Sequence, residues 1–253
     1  MIKLNFKKHI LLSSRKNVFL KKDNYTKQQL HPLIIVDHLK IIYFPIPKVA
    51  VSSFKYVFGL SLNLIESTCT DNINDLHLIK FPSISRSKAS NSDYDDFIKL
   101  GCVRDPWDRI LSCYKSKIKK DKNFNDIHFK NGVSKRFLKY DVFKAGMSFH
   151  DFVKAIYDIP DVSSDFHFRS QVDFLFNDNI SLVNTLLKYE SLDEDYKKLN
   201  ARLGYSLVEL PLMNKSYSNE KFNHYYSNEL IELIGKRYEK DITAFGYNSP
   251  SQR

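Results

Sequence analysis

Two short segments limit the possible folds of this chain more than any other feature. Pro47-Lys48-Val49-Ala50-Val51-Ser52-Ser53-Phe54 follows the apolar run Ile41-Ile42-Tyr43-Phe44-Pro45-Ile46, and Val103-Arg104-Asp105-Pro106-Trp107-Asp108-Arg109-Ile110-Leu111-Ser112-Cys113-Tyr114 follows Phe97-Ile98-Lys99-Leu100-Gly101-Cys102. Each apolar run reads as a buried strand, and each segment opens a helical pattern. Phe54, Val57 and Phe58 share one side of the first helix, while Ile110, Leu111, Tyr114 and Ile118 share one face of the second. A strand, turn and helix in succession aim backbone N–H groups and the helix dipole at one point, so such a turn holds an anion. Lys48 brings a charge to the first turn, and the Ser52 and Ser53 hydroxyls stand behind it. In the second, Pro106 sits where a missing N–H costs nothing, Arg104 offers a planar fork suited to phosphate, and Ser112 adds a hydroxyl eight residues on. Two turns of this kind suit a ligand with two separated phosphates.

Alternating strands and helices, with anion turns at strand ends, predict an α/β fold: a mainly parallel sheet flanked by helices, with the ligand beyond the carboxyl ends of the strands. At 253 residues and 43% hydrophobic content the chain can bury one sizeable core. Residues 1–40 are rich in Lys and His and carry only short apolar runs, Val18-Phe19-Leu20 and Leu33-Ile34-Ile35-Val36; they read as an irregular N-terminal segment with one strand, packed on a single domain that spans 41–253. Residues 60–96 form a connector long enough for a crossover and an active-site loop. Further on, 149–157 and 226–245 read as amphipathic helices, Leu182 to Lys188 as a late strand leading to Tyr189-Glu190, and a helix follows through Asp195, Leu199 and Leu203.

A net charge of +10 favours polyanionic partners, among them a phosphorylated nucleotide, an acidic glycan or nucleic acid. No helix-turn-helix, RNA-binding or zinc-finger pattern supports the last. The lysine precedes its loop, and no Gly-x-x-x-x-Gly-Lys occurs, which counts against an atypical nucleotide-dependent kinase. Cys69, Cys102 and Cys113 show no metal-ligand spacing; no metal is expected, and Cys102 and Cys113 read as buried free thiols. Trp107 reads as packing, and Asp105 and Arg109 as residues that hold the second turn.

These motifs resemble those of the carbohydrate sulfotransferases, which move a sulfuryl group from 3′-phosphoadenosine 5′-phosphosulfate (PAPS) to a glycan hydroxyl. Asp165-Phe166-His167-Phe168-Arg169-Ser170-Gln171 looks like the family's His-aromatic-x-x-Gln segment, and Leu210-Pro211-Leu212-Met213-Asn214-Lys215-Ser216 like its Leu-Pro-x-x-Asn-x-Ser segment, so the resemblance runs from about Ile41 to Tyr247. It implies a P-loop-like nucleotide-binding fold in which Lys48, Val49, Ala50, Val51, Ser52, Ser53 and Phe54 wrap the 5′-phosphosulfate, and Arg104 and Ser112 bind the 3′-phosphate. Lys48 would also act in catalysis. His77, in the connector where the family commonly supplies a catalytic base, is the expected base; His167 competes for that role, and its segment, with Gln171, points to the acceptor side. Animal members are usually Golgi enzymes tethered by an N-terminal membrane helix. This chain opens with Met, reads as complete and has no run of ~20 apolar residues, so a cytoplasmic bacterial enzyme is expected, with the Golgi lumen as the alternative for a truncated ectodomain.

Overall fold

The computed structural model describes residues 30–66, 75–204, 207–211 and 224–250. Val18-Phe19-Leu20, Cys69 and the Leu212 to Ser216 part of the Leu-Pro segment lie outside the described residues.

The strands β1 (Leu33–Val36) and β2 (Ile41–Phe44) form an antiparallel pair and lead into helix α1 (Val51–Ser61). A connector supplies β3 (Ser83–Ile84) and the single turn α2 (Arg86–Ala89), after which β4 (Ile98–Val103) runs into α3 (Pro106–Lys117). The hairpin β5 (Phe129–Lys130) and β6 (Val133–Ser134) precedes α4 (Phe149–Asp158). Next come the short α5 (Val172–Leu175), the hairpin β7 (Phe176–Asn177) and β8 (Ile180–Ser181), then β9 (Thr185–Lys188) and α6 (Leu192–Leu203). The described chain closes with α7 (Asn228–Arg237) and α8 (Glu239–Phe245).

The main sheet has the order β3-β1-β2-β4-β9. Its β2-β4 and β4-β9 pairs are parallel, as expected, but β1 and β3 pair antiparallel at one edge, so the sheet is mixed. The antiparallel edge has a local cause. Val36 and Ile41 are joined by one 3-10 turn in which Lys40 takes a left-handed backbone (φ 51°), too short for the crossover that a parallel neighbour requires. The parallel register pairs Phe44 with Gly101 and Val103 with Lys188, which sets the turns after β2, β4 and β9 side by side at one end of the sheet.

Two apolar clusters hold this frame. One gathers the sheet with α1 and α6, including Tyr43, Phe54, Phe58 and Tyr196; the other packs α3 against α4 and α7 through Trp107, Ile110, Phe152 and Ile234. Cys102 and Cys113 are buried free thiols. The stretch 226–245 is two helices, not one: at Tyr238 the backbone leaves the helical region (φ −112°, ψ 26°), and its buried hydroxyl donates to the Phe168 carbonyl. Among the described residues no helix is long and apolar enough to cross a membrane.

Candidate active site

The turn between β2 and α1 is built to leave donors open. Lys48 (φ 71°) and Ala50 (φ 48°) both sit in the left-handed region, at about 1–2 kcal/mol each for residues with a Cβ. Ala50 is the N-cap of α1 yet supplies no side-chain cap, and no acid stands in the first turn. Phe54 N–H is the first to close a helical bond, to the Ala50 carbonyl at 3.0 Å, so the N–H groups of 50–53 face the mouth of the helix. Successive left- and right-handed residues at such a mouth form an anion-binding hollow. Burial, with the charges of Lys117, Arg104 and Arg109, depresses the half-buried Lys48 ammonium to about 8.

Not every residue expected around the 5′-phosphosulfate keeps a free group. Val49 N–H is engaged by the Ile46 carbonyl at 3.3 Å. The Ser53 hydroxyl donates to the Pro211 carbonyl at 2.8 Å. The Phe54 ring is buried against Tyr43, 4.9 Å between centroids, because the apolar stripe that begins α1 must face the sheet. The groups that remain available are Lys48 Nζ and the opening N–H groups, with the half-buried Ser52 hydroxyl in contact only with the exposed His77, 3.3 Å from its Nε2.

The neighbouring turn, between β4 and α3, is closed. Asp105 caps α3 by accepting from the N–H groups of Trp107 (3.0 Å) and Asp108 (3.2 Å), ahead of Pro106 at the first helical position. Its own N–H donates to Glu190 Oε1 at 2.7 Å, just past the end of β9. Arg109 spreads its guanidinium over three carbonyls: Pro47 (3.1 Å), Arg169 (2.7 Å) and Phe166 (3.0 Å). Arg104, only 3% exposed, lies over the Tyr189 ring at 4.3 Å and donates from Nη1 to the Lys48 carbonyl at 3.3 Å. Two arginines of the closed turn therefore hold the carbonyls of the open one. Ser112 is half-buried in the second turn of α3.

Gln171 is not placed as an acceptor contact. It is fully buried, its Oε1 accepting from Arg104 N–H at 2.9 Å and its Nε2 donating to Arg104 O at 2.8 Å, as a neighbouring strand would. Asp241, also fully buried, accepts from Gln171 N (2.9 Å) and Val172 N (2.9 Å), and desolvation raises its carboxyl to about 6. Two imidazoles flank the site. His77 lies at the surface, its Nε2 3.3 Å from Ser52 Oγ; partial desolvation and the Lys55 and Lys117 charges lower it to about 4. His167 is nearly enclosed, with Nδ1 2.6 Å from Asp165 Oδ1, and burial together with the Lys117 and Lys48 charges also lowers it to about 4 against the upward pull of Asp165. That carboxyl is held well below its usual range by hydrogen bonding to His167, against the opposing cost of burial.

Sequence reasoning missed Asp165 and Asp241 as participants. Asp165 was visible two residues before His167; Asp241 lies mid-helix, with no local signal.

An open turn rich in unengaged N–H groups and a closed arginine turn stand at the ends of adjacent parallel strands of an α/β protein. The model of the sulfotransferase family matches residues 31–248. The chain belongs to the sulfotransferase family. Carbohydrate sulfotransferase 10 of Homo sapiens is 23% identical to it across 89% of this chain and 69% of its own length, and that of Rattus norvegicus is 24% identical over the same shares. Carbohydrate sulfotransferase 8 of Homo sapiens is 22% identical across 89% of this chain and 57% of its own length. No solved structure matches. These vertebrate relatives overturn the expectation of a bacterial, cytoplasmic enzyme; the animal branch is the one that the resemblance associates with the Golgi.

Proposed function

We propose that this sulfotransferase moves a sulfuryl group from PAPS to a hydroxyl of a carbohydrate, on a P-loop-like nucleotide site. The observation that carries the reading is the open turn at Lys48, uncapped, without an acid in its first turn, and gripped by Arg104 and Arg109. Such a turn is strained and desolvated when empty, and an anion relieves both conditions. Lys48, the N–H groups of 50–53 and Ser52 Oγ would hold the 5′-phosphosulfate; Arg104 and Ser112 would hold the 3′-phosphate. PAPS supplies the sulfuryl group and a 3′,5′-bisphosphate leaving group.

His167 Nε2 takes the proton of the acceptor hydroxyl as that oxygen bonds to sulfur. Asp165 holds Nδ1–H and stabilises the imidazolium that results. Lys48 and the opening N–H groups neutralise the phosphate oxygen as its bond to sulfur breaks. His167 is favoured over His77 because it has a buried orienting carboxylate and feels the Lys48 charge, whereas His77 sits at the surface on Ser52. The carbohydrate acceptor is proposed from the names of the relatives. The test is radiolabelled sulfate transfer from PAPS to a panel of desulfated glycans. Label should enter at least one glycan and none should come from inorganic sulfate; a chain that binds the nucleotide and labels no glycan would refute the acceptor class.

A further inference from the structure

Arg109 bonds the carbonyls of Pro47 (3.1 Å) and Phe166 (3.0 Å), the residues immediately before Lys48 and His167. The side of α3 that carries Arg109 therefore looks onto the seam between the open turn and the loop of the base. Cys113 stands one turn further along that side and is wholly buried, and Lys117, the last residue of α3, stands one turn beyond Cys113. Helical side chains lean toward the N-terminal end of their helix, so the Lys117 ammonium reaches back along the seam. It is half-buried and, among the described residues, makes no hydrogen bond or ion pair. A lysine in the last turn of a helix is ordinarily a solvated partner of the helix dipole. This one is partly withdrawn from water: burial lowers its ammonium below the ordinary lysine range, against the upward pull of Cys113 and Asp165, while Arg136 and Lys119 add to the lowering. Its charge is felt on both sides of the seam. It depresses Lys48 ahead of Arg104 and Arg109, and it depresses His167 ahead of Lys48.

We propose that Lys117 is a further catalytic residue, the cation that holds the non-bridging oxygens of the sulfuryl group as that group passes from the phosphate oxygen at Lys48 to the acceptor hydroxyl at His167. The proposal rests on the sulfotransferase reading and adds to it a group that acts on the transferring unit itself. In the step the acceptor oxygen bonds to sulfur, the bond from sulfur to the 5′-phosphate oxygen breaks with its electron pair left on the phosphate, and the hydroxyl proton goes to His167 Nε2. Lys117 keeps its proton throughout. An ammonium without an ion pair suits that place, because a carboxylate partner would compete with the sulfuryl oxygens, and a site already desolvated needs little reorganisation when they arrive. The same charge favours the neutral imidazole, the form that accepts the proton.

The experiment compares wild type, Lys117→Met and Lys117→Arg in two measurements: labelled transfer from PAPS to the desulfated glycan panel, and NMR titration of the His167 imidazole in the nucleotide-free protein. Lys117→Met should lower kcat about 100-fold, the scale of removing one preorganised donor. Its affinity for 3′-phosphoadenosine 5′-phosphate, which lacks the sulfuryl group, should stay within about threefold of the wild type. Lys117→Arg keeps the charge and should retain transfer to within about tenfold. In Lys117→Met, His167 should titrate at a higher pH, because loss of a neighbouring positive charge favours the imidazolium; in Lys117→Arg it should titrate where the wild type does. An unchanged kcat in Lys117→Met, or a nucleotide affinity that falls as far as kcat, would overturn the catalytic role. An unmoved His167 titration would overturn the place of Lys117 beside the base, as would a variant that lost only melting temperature, the mark of a lysine that merely closes its helix. Failure of the wild type to transfer label would overturn the sulfotransferase reading and the catalytic role with it, and the His167 titration would still decide where Lys117 stands.

Discussion

The turns after β2 and β4 have the same parentage, a buried parallel strand running into an amphipathic helix, and opposite completion. At the β4 turn Asp105 caps the helix, Gln171 pairs both main-chain groups of Arg104, and Arg109 is saturated by carbonyls. At the β2 turn two residues with a Cβ take left-handed backbones, the helix has no side-chain cap, and a lysine is held at a depressed pKa. The closed turn holds the open one in place through Arg104 and Arg109. The closed turn is where the chain satisfies its own main-chain groups and the open turn is where it leaves donors unengaged, so substitutions in the two turns should fail in different ways.

The largest effect should come from the open turn. Lys48→Met should lower turnover by about 10²–10³, the scale of removing a preorganised group from a developing negative charge. The same change should raise the melting temperature of the ligand-free protein. Its pKa is lowered in the folded state, so the charged form is disfavoured by folding below pH 8, and a neutral side chain removes that cost. A variant that loses both turnover and stability would show that Lys48 supports the fold and not the reaction.

His167→Ala should cost roughly 100-fold in kcat, the usual scale of general-base catalysis, and His77→Ala much less. With His167 lowered to about 4, the base is neutral from pH 5 to 8, so its titration lowers kcat/KM only on the acid side, while loss of the Lys48 charge adds an alkaline limb near 8. Asp165→Asn should move that acid limb to still lower pH, because the Asp165 charge is what pulls His167 upward. The reverse ranking of the two histidines would return the base to His77.

In the closed turn the expected loss is structural. Gln171→Ala strands the N–H and carbonyl of Arg104 in a buried site, at about 1–3 kcal/mol for each group, so thermal unfolding should shift down by roughly 5–10 °C. Ser52→Ala in the open turn should move the midpoint by no more than about 1–2 °C, since it breaks only the 3.3 Å contact with His77.

Both turns were legible in the sequence because each is local: an apolar run, a short polar break and a helical stripe within about twenty residues. So were Pro106 at the helix start and the thiols of Cys102 and Cys113. What completes the turns was not legible. Gln171 reaches Arg104 across 67 residues and Asp241 reaches Gln171 across 70, separations that no local pattern encodes. The direction of Phe54 followed from its stripe and was overridden by its place beside Lys48, which drew it wrongly into the ligand site. The antiparallel edge depended on the length of one turn, and the break at Tyr238 on a tertiary hydrogen bond to Phe168.

The smallest effect is a proton. At pH 8 about half of Lys48 is neutral in the free protein, and a bound phosphate draws its pKa up, so binding should take up about half a proton. Calorimetry in two buffers of different ionisation enthalpy reads this. Affinity should weaken as pH rises through 8, and Lys48→Met should abolish the uptake.

In the proposed reading two turns serve the two ends of one nucleotide, and a ligand pair against an arginine variant tests that division most directly. Wild-type protein should bind 3′-phosphoadenosine 5′-phosphate about 100-fold more tightly than 5′-AMP, which lacks the 3′-phosphate, as expected for a charge-assisted pair in a closed turn. In Arg104→Ala that discrimination should vanish, and the affinity for 5′-AMP should fall several-fold as well, because Arg104 also holds the Lys48 carbonyl of the open turn. Full discrimination by Arg104→Ala, or equal binding of the two nucleotides by the wild type, would contradict the division of the site between the two turns.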